Sequence, residues 1–282
     1  LAAAKDLGYT IESNGSYTVY NADGLMNIAK LVNGGKTDIN ITLTADIDLT
    51  GKDWTPISTS TRNFYSGTFD GGGHTITGLT FTTNDEYAGL FGWLNRAGTV
   101  KNVVMEGVQI TSNQIYGGSI GGVVGYSWGT IENCSVSGSV SGTVYVGGVV
   151  GAHIGGSITG CSSSATVKGM VDVGGVAGQT NSSATLTACY ATGNVTSTGS
   201  STGYVHIGGF LGNNYTTVTA CYWKNNHEQG IGYNNKSTKA TKVDGTGVTW
   251  KNAVDAMNTA LQNAGSEWRY ELKGALPILR KQ

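Results

Sequence analysis

Three aspartates in the first third of the chain, Asp46, Asp48 and Asp70, are the first candidates for chemistry. They lie in segments that could stack as neighbouring strands, and His74 follows closely. A row of carboxylates could bind Ca²⁺, which prefers oxygen ligands. The alternative is a solvated strand face, followed by a turn in which the Asp70 side chain bonds the backbone ahead of three glycines. We favour the turn, keep the three aspartates as the calcium candidate, and expect no other metal and no cofactor.

Ser127 lies in a Gly-Tyr-Ser-Trp-Gly segment that matches the Gly-x-Ser-x-Gly pattern of a nucleophile elbow. That pattern works only on a strained strand-to-helix turn, with an acid and a histidine further along the chain. Strand-like residues follow Ser127, and the equivalent turn one repeat later carries His153. We therefore interpret Ser127 as an ordinary turn residue. The recurring Gly-x-x-Gly strings open no helix, so they do not predict a nucleotide site either.

Aromatic side chains are frequent in the segments that we expect to form turns. The set is Tyr116, Tyr126, Trp128, Tyr145, Tyr204, Tyr215, Tyr222, Trp223 and Tyr233. Amides accompany them, as at Asn213 and Asn225, and aromatic faces beside amides suit sugar rings. The alternative is that many of these rings pack on glycines of neighbouring repeats.

Five of these aromatics form the predicted ligand-binding set, which is Tyr222, Trp223, Tyr215, Tyr204 and Trp128. Tyr222 and Trp223 follow the last cysteine, where no further repeat covers them, so we expect them to be the most exposed pair. The alternative is that the two rings shield the final repeat beneath a C-terminal helix.

Charge is scarce and balanced in this chain. Charged residues are 12% of the 282 residues and the net charge is −1, whereas about 25% is usual. Such a chain has no strong field to attract nucleic acid or an anionic membrane, and it has no apolar stretch of about 18 residues that could span a bilayer. The first six residues lack the features of a signal peptide, so we expect an export signal or lipid anchor outside this sequence.

The region from residue 88 to 223 is especially poor in charge. Its charged side chains are Arg96, Lys101, Glu106, Glu132, Lys168 and Asp172. Polysaccharide lyases and hydrolases need paired carboxylates, or carboxylate-bound Ca²⁺ beside a base. These scattered charges favour a protein that is not an enzyme, and a β-helical polysaccharide lyase or glycoside hydrolase is the alternative. Lys101 and Glu132 share one repeat position, which predicts a surface ion pair.

A Gly-Gly-apolar-apolar-Gly block recurs along the chain and indicates the architecture. It starts at residues 121, 147, 174 and 208, and a weaker copy starts at residue 88. Between the copies lie short alternating patterns without a helical period, so each unit predicts one coil of a right-handed parallel β-solenoid, with coils about 4.8 Å apart. We expect the glycines at coil corners, where a positive φ or a close backbone approach excludes a Cβ.

The four cysteines occupy a single position of the repeat. They are Cys134, Cys161, Cys189 and Cys221, and the weak copy has Val103 there. A small apolar residue in place of cysteine indicates a stack of free thiols that points into the core. Side chains stacked in parallel register would also give a disulfide poor geometry.

The flanks of the repeats have their own patterns. Residues 39–50 alternate apolar and polar side chains, as a half-buried strand does. Apolar residues with helical spacing follow the candidate N-cap Asp23, and a second such run follows Thr249. Gly265 is a candidate for the end of the second helix.

These flanks divide the chain into three predicted parts. An N-terminal cap at residues 1–35 has a helix near 22–33, the solenoid covers 36–235, and a C-terminal cap at 236–282 has a helix near 250–264. The helices would cover the apolar ends and the unpaired strand edges of the solenoid.

The repeat unit from Gly-Gly-Val-Val-Gly at 121–125 to Ile-Glu-Asn-Cys at 131–134 resembles the GLUG motif, named for the Gly-Leu-x-Gly core present at 89–92. The segment at 69–76 resembles the coil that precedes such repeats, and residues 268–279 resemble the tail of many such proteins. The resemblance covers about residues 66 to 223 well. It is a resemblance to bacterial surface proteins, including adhesins of gut Bacteroidetes, and to non-catalytic portions of immunoglobulin A proteases. It implies a β-helical fold and a cell-surface location, and it supplies no catalytic residue.

We therefore predict a non-enzymatic cell-surface or secreted protein for adhesion or ligand binding. Its partner would be a glycan or a host or surface protein, contacted through loops of the solenoid, and we expect a monomer without a nucleic-acid partner.

Overall fold

Short runs of Val, Ile, Thr and Ser form the strands, and Gly, Asn or Ser residues end most of them. The structure is a computed structural model that describes residues 6–59, 61–199 and 204–282. Within these ranges the strands wind into a right-handed parallel β-solenoid of about seven turns, which confirms the predicted fold class. Residues 1–5 of the predicted N-terminal cap lie outside the described residues.

The helices and strands fall into three successive parts of the chain. The first part contains β1 (Tyr9–Ile11), β2 (Tyr17–Val19), α1 (Ala22–Asn33), β3 (Ile41–Leu43), β4 (Ile47–Asp48), β5 (Thr68–Asp70), β6 (Thr75–Thr77) and β7 (Thr80–Thr83). The repeats contain β8 (Tyr87–Ala88), β9 (Phe91–Leu94), β10 (Thr99–Lys101), β11 (Val104–Ser112), β12 (Ser119–Gly121), β13 (Val124–Ser127), β14 (Thr130–Glu132), β15 (Ser135–Ser141), β16 (Tyr145–Gly147), β17 (Val150–Thr159), β18 (Ser162–Ser163), β19 (Thr166–Gly169), β20 (Asp172–Gly174), β21 (Ala177–Thr187), β22 (Tyr190–Ala191), β23 (Val195–Ser197), β24 (His206–Gly208), β25 (Leu211–Asn214), β26 (Thr217–Thr219) and β27 (Tyr222–Trp223). The last part contains β28 (Ile231–Asn234), β29 (Thr241–Lys242), α2 (Trp250–Asn263), β30 (Trp268–Lys273) and β31 (Leu276–Lys281).

Pairing between successive coils produces three sheets. Sheet A has the order β1-β2-β3-β5-β10-β14-β17-β21-β25-β28, and β9, β13 and β26 join it from the side. Sheet B has the order β29-β27-β22-β18-β15-β11-β6-β4, joined by β7, β19 and β23, and sheet C has the order β24-β20-β16-β12-β8. Antiparallel pairing occurs between β1 and β2 and in the hairpin of β30 and β31.

Equivalent residues of successive coils stack in register and form the core. Val100 pairs with Ile131, Ile131 with Ile158 and Ile158 with Leu186, and all four side chains are fully buried. Burying an aliphatic side chain of this size contributes about 1.5–3 kcal/mol. Each repeat position that points inward thus forms a buried column of stacked side chains, and these columns stabilise the solenoid.

The cysteines form another inward column. Cys134, Cys161, Cys189 and Cys221 all lie within the described residues, and each is a buried free thiol. Val103, in the equivalent position, is also fully buried. The predicted stack of free thiols is therefore confirmed.

The repeated glycines lie where sheet C packs against sheet A, backbone to backbone. A Cβ placed on Gly125 would lie 2.5 Å from the carbonyl oxygen of Ser119, and one on Gly178 would lie 2.5 Å from the amide nitrogen of Val146. Neither glycine has a positive φ. Of the two predicted reasons for glycine, close approach is the one that holds at these positions.

The predicted single strand over residues 39–50 is wrong in one respect, because the chain turns a corner within it. β3 pairs with β5 in sheet A, whereas β4 pairs with β6 in sheet B. The alternation of buried and exposed side chains continues through the corner, from Ile41 to Leu49. The pattern therefore predicted burial correctly but could not show the bend.

Helix α1 closes the N-terminal end of the core. Leu25, Ile28 and Val32 are fully buried in the main core cluster. The N-cap is Asn21 and not the predicted Asp23, because Asn21 has an extended backbone and its side chain accepts a hydrogen bond from the amide of Gly24. Asp23 lies in the first turn instead, where a carboxylate suits the helix dipole.

Helix α2 begins at the predicted cap Thr249, which forms a capping box with Asn252. Its buried face belongs to a separate apolar cluster with Tyr190, Tyr222 and Tyr270. The hairpin of β30 and β31 packs beside it, since the Tyr190 hydroxyl donates to the carbonyl of Pro277 at 2.6 Å. The helix and hairpin therefore cover the side of the last coils, and the prediction that this helix covers the end of the solenoid is wrong.

Candidate functional site

Two register columns meet along one side of the solenoid, where sheet C lies against sheet A. The sheet C column is Tyr87, Ser119, Tyr145, Asp172 and His206. The sheet A column is Trp93, Tyr126, Ala152, Gln179, Asn213 and Tyr233. Side-chain contacts between the two columns join them into one surface, which we call the stripe.

The half of the stripe nearer the N-terminus is aromatic. The ring centroids of Trp93 and Tyr126 are 4.4 Å apart, and Tyr87 lies 4.8 Å from Trp93 and 5.3 Å from Tyr126. Phe64 stacks on the other side of Trp93 at 4.5 Å. All four rings are half-buried, so part of each faces solvent. Partial burial, together with a hydrogen bond to Glu86, raises the pKa of Tyr87, which keeps its hydroxyl protonated.

The other half of the stripe is polar. The Asp172 carboxylate accepts a hydrogen bond from Asn213 Nδ2 at 3.0 Å and lies 2.7 Å from His206 Nδ1. The Asp172 side chain is only 4% exposed. Burial raises its pKa, and the hydrogen bonds from Asn213 and His206 act in the opposite direction. Tyr145 lies between the two halves, because it pairs in register with Ser119 on one side and with Asp172 on the other. Burial raises the pKa of its hydroxyl, and the charge on Asp172 and Tyr126 raise it further.

Of the five predicted ligand-binding residues, Tyr215 has a ring contact with this stripe. Tyr215 is half-buried and its ring centroid is 5.9 Å from that of Tyr233, which lies 5.1 Å from His206. Tyr204 is 89% exposed two residues before His206. Tyr116 and Met170 are exposed in the corresponding loops before β12 and β20. Exposed apolar side chains thus occur in three loops that precede strands of sheet C.

Trp128 lies outside these contacts. Its ring packs over Gly155, where an added Cβ would be 3.0 Å from Cε3, and the guanidinium of Arg96 lies 5.2 Å from the ring centroid. The ring is half-buried. The contact with Gly155 fits the alternative that such rings pack on glycines of neighbouring repeats. The partial exposure leaves room for the predicted ligand contact as well.

The expectation that Tyr222 and Trp223 are the most exposed pair is wrong. Their exposed fractions are 9% and 6%. Tyr222 packs in the cluster beneath α2, whereas Trp223 points into the main core and donates from Nε1 to the carbonyl of His227 at 3.0 Å. The alternative that a C-terminal helix covers these rings therefore holds for Tyr222. Trp223 is covered instead by the chain that follows β27, at His227 and Gly230.

The three candidate calcium ligands have separate partners. Asp46 bonds the amide of Thr75 and approaches His74 Nδ1 at 3.2 Å, while Asp48 bonds the amide of Thr50. Asp70 accepts from the amide of Gly72 at 2.9 Å, which confirms the predicted turn. Across the described ranges, no group of three or more His, Cys, Asp or Glu side chains could hold a metal ion.

Two smaller predictions also have an outcome. Ser127 is fully buried and its Oγ accepts from the amide of Gly129, as an ordinary turn residue does. The predicted ion pair of Lys101 with Glu132 is wrong, because Lys101 reaches Asp70 at 3.7 Å in the preceding coil instead.

The stripe was largely missed from sequence, although a signal for it exists. Its sheet C residues stand two positions before the first glycine of each block, and its sheet A residues stand five positions after the first glycine in the four full copies. Comparing those two positions between copies would have found Asp172, His206 and Asn213. Phe64 precedes the repeats, so no position in them points to it.

The fold and the register together define a β-solenoid of stacked repeat coils. The family described as the GLUG motif matches residues 116–141 and 142–168, which confirms the resemblance over two coils. None of the helices within the described ranges is long and apolar enough to cross a membrane.

Three known proteins share sequence or fold with the chain. Halomucin of Haloquadratum walsbyi is 35% identical over 143 residues, which are 47% of this chain and 2% of that protein. A "putative Gly-rich membrane protein" of Evansella cellulosilytica is 36% identical over 100 residues, which are 34% of this chain and 11% of that protein. The crystal structure of a "putative immunoglobulin A1 protease" from Bacteroides ovatus superposes with a TM-score of 0.62 at 19% identity, over 95% of this chain and 93% of that chain. That structural likeness concerns the fold alone.

Proposed function

We propose that this chain is a non-enzymatic binding segment of a cell-surface or secreted protein, and that it adheres to a glycan or a host or surface macromolecule through the stripe. The observation that carries the proposal is the aromatic half of the stripe, where Tyr87, Trp93 and Tyr126 come together from three strands with centroid distances of 4.4 to 5.3 Å. Half-exposed rings in a row along a solenoid suit an extended polymer, because each coil adds another contact.

The surface location is supported by the relatives. One is named a halomucin and another a Gly-rich membrane protein. The chain spans 2% and 11% of these relatives, so the proposal concerns a segment of such a protein.

The non-enzymatic role is supported by the spacing of acids on the stripe. Glu86, beside Tyr87, and Asp172 are separated by three coil steps in the sheet C column. Three steps of about 4.8 Å are about 14 Å. A glycosidase needs two carboxyl groups about 5–9.5 Å apart, so this pair is too widely spaced for that chemistry.

The test is a binding screen of the purified chain against arrays of glycans and of host-matrix proteins. The double variant Trp93→Ala with Tyr126→Ala should lose binding to the partner that the native chain retains. Tyr20→Ala is the matched control, because Tyr20 is 37% exposed near α1 and outside the stripe, so it should bind as the native chain does.

Two results would contradict the proposal. Undiminished binding by the double variant would place the contact elsewhere on the molecule. Saturable depolymerisation of any polysaccharide by the purified chain, measured as new reducing ends, would overturn the non-enzymatic assignment.

A further inference from the structure

The buried carboxylate of Asp172 is held from two sides. Asn213 Nδ2 donates to Oδ2 at 3.0 Å, and His206 Nδ1 lies 2.7 Å from Oδ1. Asp172 and His206 are register partners in adjacent strands, while Asn213 comes from sheet A. Three different strands therefore build this arrangement.

The arrangement leaves one polar atom unpaired. Asn213 is 93% buried, its exposed fraction being 7%, and its Oδ1 has no hydrogen-bond partner among the described residues. An unpaired buried acceptor costs stability, and such groups in folded proteins call for an explanation. Here the Asn213 amide is oriented so that its NH₂ group donates to Asp172 and holds the carboxylate in place. The same orientation leaves Asn213 Oδ1 without a donor. Preorganisation at a stability cost is typical of functional sites.

The fixed carboxylate in turn sets the state of His206. An ionised carboxylate can only accept, so the proton in the bond to Asp172 belongs to Nδ1. In the neutral ring Nε2 is then an acceptor. Within the described residues Nε2 makes no hydrogen bond, and the His206 side chain is 22% exposed. The structure therefore presents one oriented acceptor at the surface.

An aromatic platform lies beside this acceptor. The Tyr233 ring is 5.1 Å from the His206 ring, tilted by 44°, and Tyr233 is 42% exposed. Tyr215 lies behind it at 5.9 Å. A pyranose ring has an apolar C–H face and hydroxyl groups at its edge, so a ring next to an oriented acceptor matches both parts.

We propose that Asp172, His206 and Tyr233 form a sugar subsite, in which a neutral pyranose stacks on Tyr233 and one of its hydroxyls donates to His206 Nε2. Asp172 is a positioning residue that does not touch the sugar. This inference rests on the proposed function and names its ligand class. A neutral sugar fits because the neutral imidazole leaves the negative charge of the Asp172 carboxylate uncompensated, and that charge would repel an anionic sugar.

The experiment uses a panel of neutral hexasaccharides, namely cellohexaose, maltohexaose, xylohexaose and mannohexaose, titrated into the chain with ¹⁵N-labelled histidine. Binding should shift the Nε2 resonance of His206 and leave that of His74 in place. His206→Ala and Tyr233→Ala should each weaken binding at least about tenfold without loss of the folded spectrum. His74→Ala is the matched control, because His74 also lies beside an aspartate, at 3.2 Å, yet no aromatic ring of the described residues stacks on it.

Each other outcome counts against the subsite. If a hexasaccharide binds but His206→Ala binds it equally well while Trp93→Ala does not, the subsite is wrong and the proposed function stands. If the native chain retains only charged glycans or a protein, the neutral-sugar assignment falls and the adhesion role survives. If nothing in the hexasaccharide panel or in the broader arrays binds, both proposals fall together.

Discussion

Asn133 donates from its side-chain Nδ2 to Oδ1 of Asn102 in the preceding coil, across 3.1 Å. Both residues have a left-handed backbone, with φ of 52° and 57°. Asn102 forms a second hydrogen bond along the corner, in which its own Nδ2 donates to Asp70 Oδ1 at 2.9 Å. A hydrogen-bonded ladder thus runs along this corner of the solenoid for three coils.

The same corner has a positive φ in each of the following coils, at Gly160, Ala188 and Ala220. The residue before the cysteine column is therefore left-handed in all five copies. Asparagine and glycine adopt this conformation readily, whereas alanine pays about 1–2 kcal/mol.

The ladder yields the first prediction. Asn102→Gly should reduce the free energy of unfolding by about 1–3 kcal/mol, because it removes two side-chain hydrogen bonds and leaves Asn133 Nδ2 without its acceptor. Asn102→Ala should be worse by about a further 1 kcal/mol, because it adds a Cβ to a left-handed residue. Urea unfolding of both variants checks this, with the exposed Asn113→Ala as a near-neutral control. Equal stability of the two Asn102 variants would show that the backbone conformation does not matter.

The second prediction concerns the thiol column. Cys161→Val should cost less than about 1.5 kcal/mol, because Val103 already fills this position in another coil. Cys161→Asp should cost several kcal/mol, because it buries an unpaired charge. All four thiols are buried, so the folded chain should resist alkylation.

Thiol titration of the same protein provides a separate check. After denaturation without reductant, all four cysteines should react, and recovery of none would refute the stack of free thiols. If Cys161→Val and Cys161→Asp reduced the free energy of unfolding equally, the column would not be the apolar environment that Val103 indicates.

The repeats made the solenoid and its inward columns predictable from sequence. Cys134 and Val103 could be aligned without coordinates, because a parallel solenoid places equivalent residues one above another. Trp223 could not be assigned in this way, since no later copy shows what covers the last coil. Its burial depends on residues 224–230, which fold back over it.

The stripe was less predictable, because its two columns come from different sheets. Whether Asp172 meets Asn213 depends on how closely sheet C approaches sheet A, and that distance is set by backbone contacts at glycines such as Gly178 and Gly212. Repeat alignment shows which residues stack in one sheet, but not which sheets touch. The α2 contact with Tyr222 was one of the two alternatives open from sequence, and repeat alignment could not decide between them.

The third prediction follows from the packing of Trp223. Glycines 209 and 230 lie against its ring, where an added Cβ would be 2.4 to 2.5 Å from ring atoms. Trp223→Ala should therefore reduce stability by about 3–5 kcal/mol, while Trp223→Phe should cost less because it keeps most of the buried ring. Thermal unfolding checks both. If Trp223→Ala kept its melting temperature but lost ligand binding, Trp223 would contact the ligand, as first predicted, and the packing role would be wrong.

The last prediction concerns His153, which pairs in register with Ser127 on one side and Thr180 on the other. The imidazole is fully buried, and neither ring nitrogen has a hydrogen-bond partner among the described residues. Burial lowers the pKa of His153 to about 4, and the nearby backbone of Gly156 opposes this shift. The folded state thus keeps the ring neutral where the unfolded state, with a pKa of about 6.5, takes up a proton.

Because the unfolded state binds the extra proton, the free energy of unfolding should fall as the pH falls from about 6.5 to about 4. Between pH 7 and 5 the loss from this one residue should be about 2 kcal/mol. His153→Leu should abolish that loss, since Leu94 fills the same column two coils earlier, whereas the half-exposed His74→Ala should retain it. Urea unfolding of the three proteins at both pH values measures the difference directly. An acid-induced loss of the same size in His153→Leu would mean that other groups destabilise the solenoid in acid.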